Sequence, residues 1–103
     1  MSYQEKNQTV IIDVSTSLSN SALHPDDIGL PGIYEAKVDA EAPEAYVAQL
    51  ALEAFNTNIP VSVPEDFDIV VKTLDGQILD TLDNAEEALS KYSYGDCTKT
   101  EER

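Results

Sequence analysis

Three short stretches of this chain carry side chains able to do chemistry. His24-Pro25-Asp26-Asp27 offers an imidazole beside two carboxylates, Glu65-Asp66-Phe67-Asp68 offers three carboxylates in four residues, and Cys97 offers a thiol. An imidazole near a carboxylate is the pairing on which acid–base and nucleophilic catalysis rest. An enzyme built on this chain would need to carry Asp26, His24 or Asp13 into a pocket on the long segment around them. His24 is the single histidine, which excludes multi-histidine metal sites and leaves any triad resting on one loop residue. An exposed imidazole that helps a turn is the simpler reading. The carboxylates of Glu65, Asp66 and Asp68 lack the glycine and the spaced ligands of a calcium loop, and a solvated acidic turn explains them better than a metal site. Cys97 has neither a second cysteine nor a neighbouring histidine, so an incidental thiol is expected. Gly29, Gly32, Gly76 and Gly95 stand singly and form no phosphate-cradling loop. No catalytic residue, metal ligand or cofactor is assigned, and the expectation is a non-enzymatic protein.

What remains is the acidity. Twenty acidic residues stand against six basic ones in 103, a net charge of -14, with only Lys6, Lys37, Lys72, Lys91, Lys99 and Arg103 on the basic side. Such a surface repels nucleic acid and anionic membranes, because binding either requires clustered Lys and Arg. It attracts basic proteins and speeds their association. The charge is uneven: residues 35–69 carry Glu35, Asp39, Glu41, Glu44, Glu53, Glu65, Asp66 and Asp68 against Lys37 alone. Exposed carboxylates several ångströms apart can imitate the phosphates of a duplex and occupy the Lys and Arg groove of a nucleic-acid enzyme. The expected function is therefore that of a small acidic interaction protein that binds and blocks a basic nucleic-acid-handling protein, as a DNA mimic or an immunity-type inhibitor. Anti-restriction, anti-CRISPR and nuclease-immunity proteins of phages and mobile elements form that functional class, although no motif here matches any one family. The expected partner-binding residues are Glu41, Glu44, Glu53, Glu65, Asp66 and Asp68, with Asp26 and Asp27 of the long loop as secondary candidates. Two other readings compete. The charge can serve solubility alone, or the chain can be a structural or assembly module whose contacts use Tyr34, Tyr46, Tyr92, Tyr94 and an unpaired sheet edge.

The length allows one domain with a single modest core. The polar start, Met1 to Thr9, does not resemble a signal peptide, the longest apolar run is too short and too acidic to cross a bilayer, and a lone thiol suits a reducing cytoplasm. A flexible tail over residues 1–8, one domain over 9–95 and a disordered tail over 96–103 are expected.

The elements follow from periodicity. Pro43 to Phe55 is rich in helix formers, and Val47, Leu50, Ala51, Ala54 and Phe55 recur at spacings of three and four, with Ala48 and Leu52 widening the stripe. Asn56, Thr57 and Asn58 are expected to stop this helix, and Asp39 to cap or charge its start. Val10, Ile12 and Val14 alternate with polar or outer residues in a strand from about Thr9 to Thr16, and Tyr34, Ala36 and Val38 do the same from about Ile33 to Val38; the two should pair antiparallel. Between them, Ser17 to Gly32 reads as a long loop with one helical turn at His24–Asp27. Ile59 to Pro64 is extended. Phe67 to Leu74, the Asp75-Gly76 turn and Gln77 to Leu82 form a hairpin, and a three-residue loop pairing Val71 with Leu79 keeps Ile69, Val71 and Leu79 on one face. A second helix follows with Asp83 as N-cap, Ala85, Ala88, Leu89 and Tyr92 as its stripe, a Glu87 to Lys91 pair outside, and Gly95 at its end. Strand, strand, helix thus occurs twice, by duplication or by convergent capping chemistry. The expected fold is α+β in the order ββαββα: a four-stranded, mostly antiparallel sheet with two helices packed on one face.

Overall fold

The structure is a computed structural model that describes residues 7–80 and 85–102. The alternation at the N-terminus yields strand β1 (Asn7–Ser15), in which Val10, Ile12 and Val14 are buried. It pairs antiparallel with β2 (Gly32–Asp39) in a register that sets Ile12 opposite Tyr34, Val10 opposite Ala36 and Gln8 opposite Val38. On its other side β1 pairs antiparallel with β3 (Asp68–Lys72), which turns into the short β4 (Ile78–Leu79). Val71 lies opposite Leu79, as the three-residue loop requires. Thr73 and Gln77 close that loop by a backbone bond of 2.8 Å, and Gly76 supplies the left-handed backbone, φ +96, that a bulged hairpin needs.

The fold is α+β with one antiparallel sheet and two helices, and the sheet has five strands, ordered β4-β3-β1-β2-β5. The expected count of four strands and the order ββαββα are corrected by β5 (Tyr94–Glu102), which pairs antiparallel with β2 where a disordered tail was expected. Its weak signal has a physical reason. As an edge strand with register shifts against β2, it is tied to the core mainly by Cys97 opposite Ala36, and Asp96, Thr98 and Thr100 are exposed. Gly95 does not end a helix; it sits within β5, where a Cβ would stand 3.3 Å from that of Lys37. At the other terminus Asn7 and Gln8, expected in a flexible tail, belong to β1.

Helix α1 (Glu44–Asn58) buries Val47, Ala48, Leu50, Ala51, Ala54 and Phe55 against the sheet and touches all five strands. It continues through Asn56–Asn58, where Asn58 Nδ2 donates to Ala54 O at 2.8 Å. The stop comes at Ile59, held at φ -122 and ψ 102 by the following Pro60, which disfavours helical backbone before it. Pro43 is the N-cap residue rather than part of the first turn, and Asp39 caps the preceding turn through a 2.9 Å bond from Glu41 N. Helix α2 (Ala85–Lys91) packs chiefly on α1, not side by side with it on the sheet. Ala88 is buried, and Glu87 and Lys91 pair at 3.0 Å. The expected cap Asp83 lies outside the described residues. Among the described residues no helix is long and apolar enough to cross a membrane.

The core centres on Ile12, Tyr34 and Phe55. The two rings meet edge to face, centroids 5.1 Å apart at 89°. Leu23, Leu30 and Phe67 enter this core from the connecting segments rather than from helix or strand. Cys97 is buried with it, and desolvation pushes its thiol up to about 11. A buried thiol of that acidity is a core side chain, not an available nucleophile. At pH 8 the native protein should react with an aromatic disulfide at least ~100-fold more slowly than a free cysteine, and at the ordinary rate once unfolded in guanidinium. Prompt labelling of the native chain would show that β5 is not docked.

Candidate functional site

The acidic residues singled out above fall into three environments. Asp26, Glu65, Asp66 and Asp68 belong to one end of the sheet. There β1 ends at Ser15, opposite Asp68, and a 3-10 turn over Pro64–Asp66 leads into β3. Glu41 and Glu44 belong to the other end: Glu41 follows Asp39, which pairs with Asn7, and Glu44 accepts a 3.1 Å bond from Gln77 beside the β3–β4 hairpin. Eight strand intervals separate Asn7 from Ser15, or about 26 Å at ~3.3 Å per residue. Glu53 lies between these ends, half-buried along α1. The structure therefore does not bring the acids together on one continuous patch.

Asp27, expected as a secondary partner contact, stands apart from the other acids because it is buried. Pro25 opens a 3-10 turn, Pro25–Asp27, whose preceding residue His24 accepts from Asp26 N at 3.2 Å through Nδ1 and from Asp27 N at 2.8 Å through its carbonyl. This turn sends the Asp27 side chain inward, where 1 % of the residue is exposed. Its two carboxylate oxygens each accept a backbone N–H, Oδ1 from Ser62 and Oδ2 from Val63, both at 2.9 Å. The bond from Ser62 is the largest cause that holds its carboxyl below the usual aspartate range, against the opposing effect of burial; the Val63 bond and the nearby His24 add to it.

This latch organises its surroundings. Residues 61–63 lie between Pro60 and Pro64 and belong to no strand, and the N–H groups of Ser62 and Val63 turn to the carboxylate instead. Thr16 Oγ1 donates to Asp66 O at 2.6 Å, Tyr34 Oη donates to Leu30 O at 2.6 Å, and Lys99 Nζ donates to Gly29 O. The loop between β1 and β2 is thus fixed to the segment before β3 and to the sheet. Asp26, whose side chain is 78 % exposed, is held at the same end as Glu65, Asp66 and Asp68. Among the described residues, Lys99 is the base that contacts this loop.

The constellations considered for catalysis are not assembled. His24 Nδ1 stands 3.7 Å from Asp26 and serves the turn, whereas Asp13 lies on the outer face of the sheet, 3.4 Å from Lys72. Among the described residues no three of His, Cys, Asp and Glu converge where they could hold a metal ion. The tyrosines are drawn into packing. Tyr34 is in the core, Tyr46 and Tyr92 meet at a 52° tilt with centroids 5.7 Å apart, and Tyr94 Oη meets Thr57 Oγ1 at 3.3 Å. Tyr46 also hydrogen-bonds Glu87, which raises the phenol; Lys91, and then Tyr46, lower Glu87 in turn. Comparison with protein-family models, with characterised proteins and with solved structures found no match.

Asp27→Asn tests the latch. An amide presents an NH2 where one of the two N–H donors needs an acceptor, leaving that donor unpaired. The variant should melt several degrees lower at pH 7. Because the folded carboxyl titrates below its unfolded value, its contribution is complete above pH ~4 and is lost as pH falls through the folded value. The gap between the two proteins in circular-dichroism melts should therefore close at strongly acidic pH, and equal melting at pH 7 would remove the latch from the account.

Proposed function

We propose that this chain is a non-enzymatic acidic interaction protein of a reducing, cytoplasmic compartment. It binds and blocks a basic, nucleic-acid-handling protein in the manner of a DNA mimic or an immunity-type inhibitor. Its primary contact is the end that carries Asp26, Glu65, Asp66 and Asp68; Glu41, Glu44 and Glu53 act as outlying charges. The observation that supports this reading is the Asp27 latch. A carboxylate is taken out of water so that two acid-bearing segments, far apart in sequence, are held as one rigid end. Carboxylates fixed before binding lose little conformational freedom when they meet Arg or Lys, so more of the charge-assisted hydrogen-bond energy reaches the complex. The net charge of -14 supplies the long-range attraction.

Glu65, Asp66 and Asp68 replaced together by Lys should abolish capture of basic proteins from host lysate by the tagged chain. The same replacements at Asp75, Glu86 and Asp96, which change the net charge equally, should leave capture intact. Capture by the unaltered protein should also fall at least ~10-fold between about 50 and 500 mM salt. Equal loss in both variants would reduce the effect to bulk charge, and capture that resists both variants and salt would overturn the reading.

A further inference from the structure

Among the described residues, the sheet is unevenly covered on the side of β4. This strand is two residues long and forms one edge of the sheet. Beside it three hollows adjoin, all sharing Leu79. One of about 340 Å3 lies between the start of α1, β1 and the hairpin. A second of about 390 Å3 lies between Glu44 and Ile78, and a third of about 250 Å3 reaches Leu52 and Ile69. Leu74 and Ile78, at 67 % and 61 %, are the most exposed large apolar side chains among the described residues, and both line this channel. Exposed apolar groups arranged along a concave surface are the usual mark of an interaction site. Its polar rim is acidic, with Glu44 and Asp80, and no described lining residue is basic.

We infer that this channel is a docking groove for a cationic amphipathic helix of a partner protein. The apolar floor calls for Leu- or Ile-like side chains, and the carboxylate rim together with the acidity of the whole chain calls for flanking Lys or Arg. A helix fits better than an added strand, because β4 offers only two residues of backbone for main-chain pairing. From Glu44 to Leu52 the groove follows α1 for about 12 Å, room for two helical turns and two or three inserted side chains. The inference shares with the proposed function the basic character of the partner and the carboxylate of Glu44; the groove starts at the hairpin end and runs along α1 toward Ile69, the neighbour of Asp68.

The probe is a fluorescein-labelled 14-residue Leu–Lys peptide with Leu at helical spacings, titrated with the full chain and followed by anisotropy. A scrambled peptide of the same composition is the control. The helical peptide should bind at least ~10-fold more tightly than the scrambled one. Leu74→Ser with Ile78→Ser, both at exposed positions, should weaken it at least ~10-fold. Glu44→Gln with Asp80→Asn should weaken it by about three- to tenfold. Glu65→Gln with Asp66→Asn, which leaves Asp68 beside the groove unaltered, should change it less than about twofold, so the groove and the acidic end fail separately. No binding, equal binding of the scrambled peptide, or indifference to the Leu74 and Ile78 replacements would overturn the inference.

Discussion

One helix has to cover the inner face of a five-stranded sheet, and the rest of the molecule follows from how incompletely it can do so. At 15 residues α1 is about 22 Å long and, with side chains, some 10–12 Å across. The strands it must cover are up to nine residues long and together span about 19 Å between the outer axes at ~4.8 Å per strand. Touching all five strands is possible only if the helix runs obliquely across them, and an oblique cylinder leaves corners of the sheet bare. Small residues make the crossing close: Ala48, Ala51 and Ala54 are fully buried, so the helix axis lies near the sheet and Phe55 reaches the ring of Tyr34. Closeness at the centre increases the shortfall at the margins.

The margins are closed by different means. Near the Ser15 end the long loop contributes Leu23 and Leu30, and Phe67 joins them from the approach to β3. A loop that covers core needs internal fastening, since it has no ladder of its own to satisfy its backbone. Asp27 provides it, and the cost of burying a charge is offset by two charge-assisted bonds from N–H groups that would otherwise lack protein partners. On the β5 side the covering is shared between the end of α1 and Tyr94. On the β4 side no comparable side-chain cover is present among the described residues, and Leu74 and Ile78 are exposed there.

The parts of this arrangement that could be read from the sequence were those with strong periodicity. Val10, Ile12 and Val14, Tyr34, Ala36 and Val38, and the α1 stripe each repeat cleanly, and each lands in the core. The Val71–Leu79 register was legible because only one choice of loop kept the apolar residues on a single face. β5 was not legible. Its residues are small, polar or charged, and it is a strand because β2 presents an unpaired edge, a condition that no window of its own sequence contains. The candidate site was half legible for the same reason. Asp26 and Asp27 are adjacent and identical in type, and only the turn that begins at Pro25 sends one to solvent and the other to Ser62 and Val63. The flanking Leu23, Ile28 and Leu30 were the available hint that this loop carries buried positions. Composition counted both acids as surface charge, whereas the backbone of a distant segment decides that one of them is structural.

That difference bears on how the acidity can work. A mimic that presented one track of carboxylates would need them in line along a single face, but here the acids singled out fall at the two ends of the sheet with a half-buried Glu53 between them. The two ends also differ in kind. Around Asp26 and Glu65 the backbone is clamped and the surface is polar, which favours charge pairing with fixed geometry; around Glu44 the carboxylate borders an open apolar channel, which favours side-chain insertion. A partner that engages the whole molecule would have to be long enough to span it, and would meet electrostatics at one end and hydrophobic contact at the other.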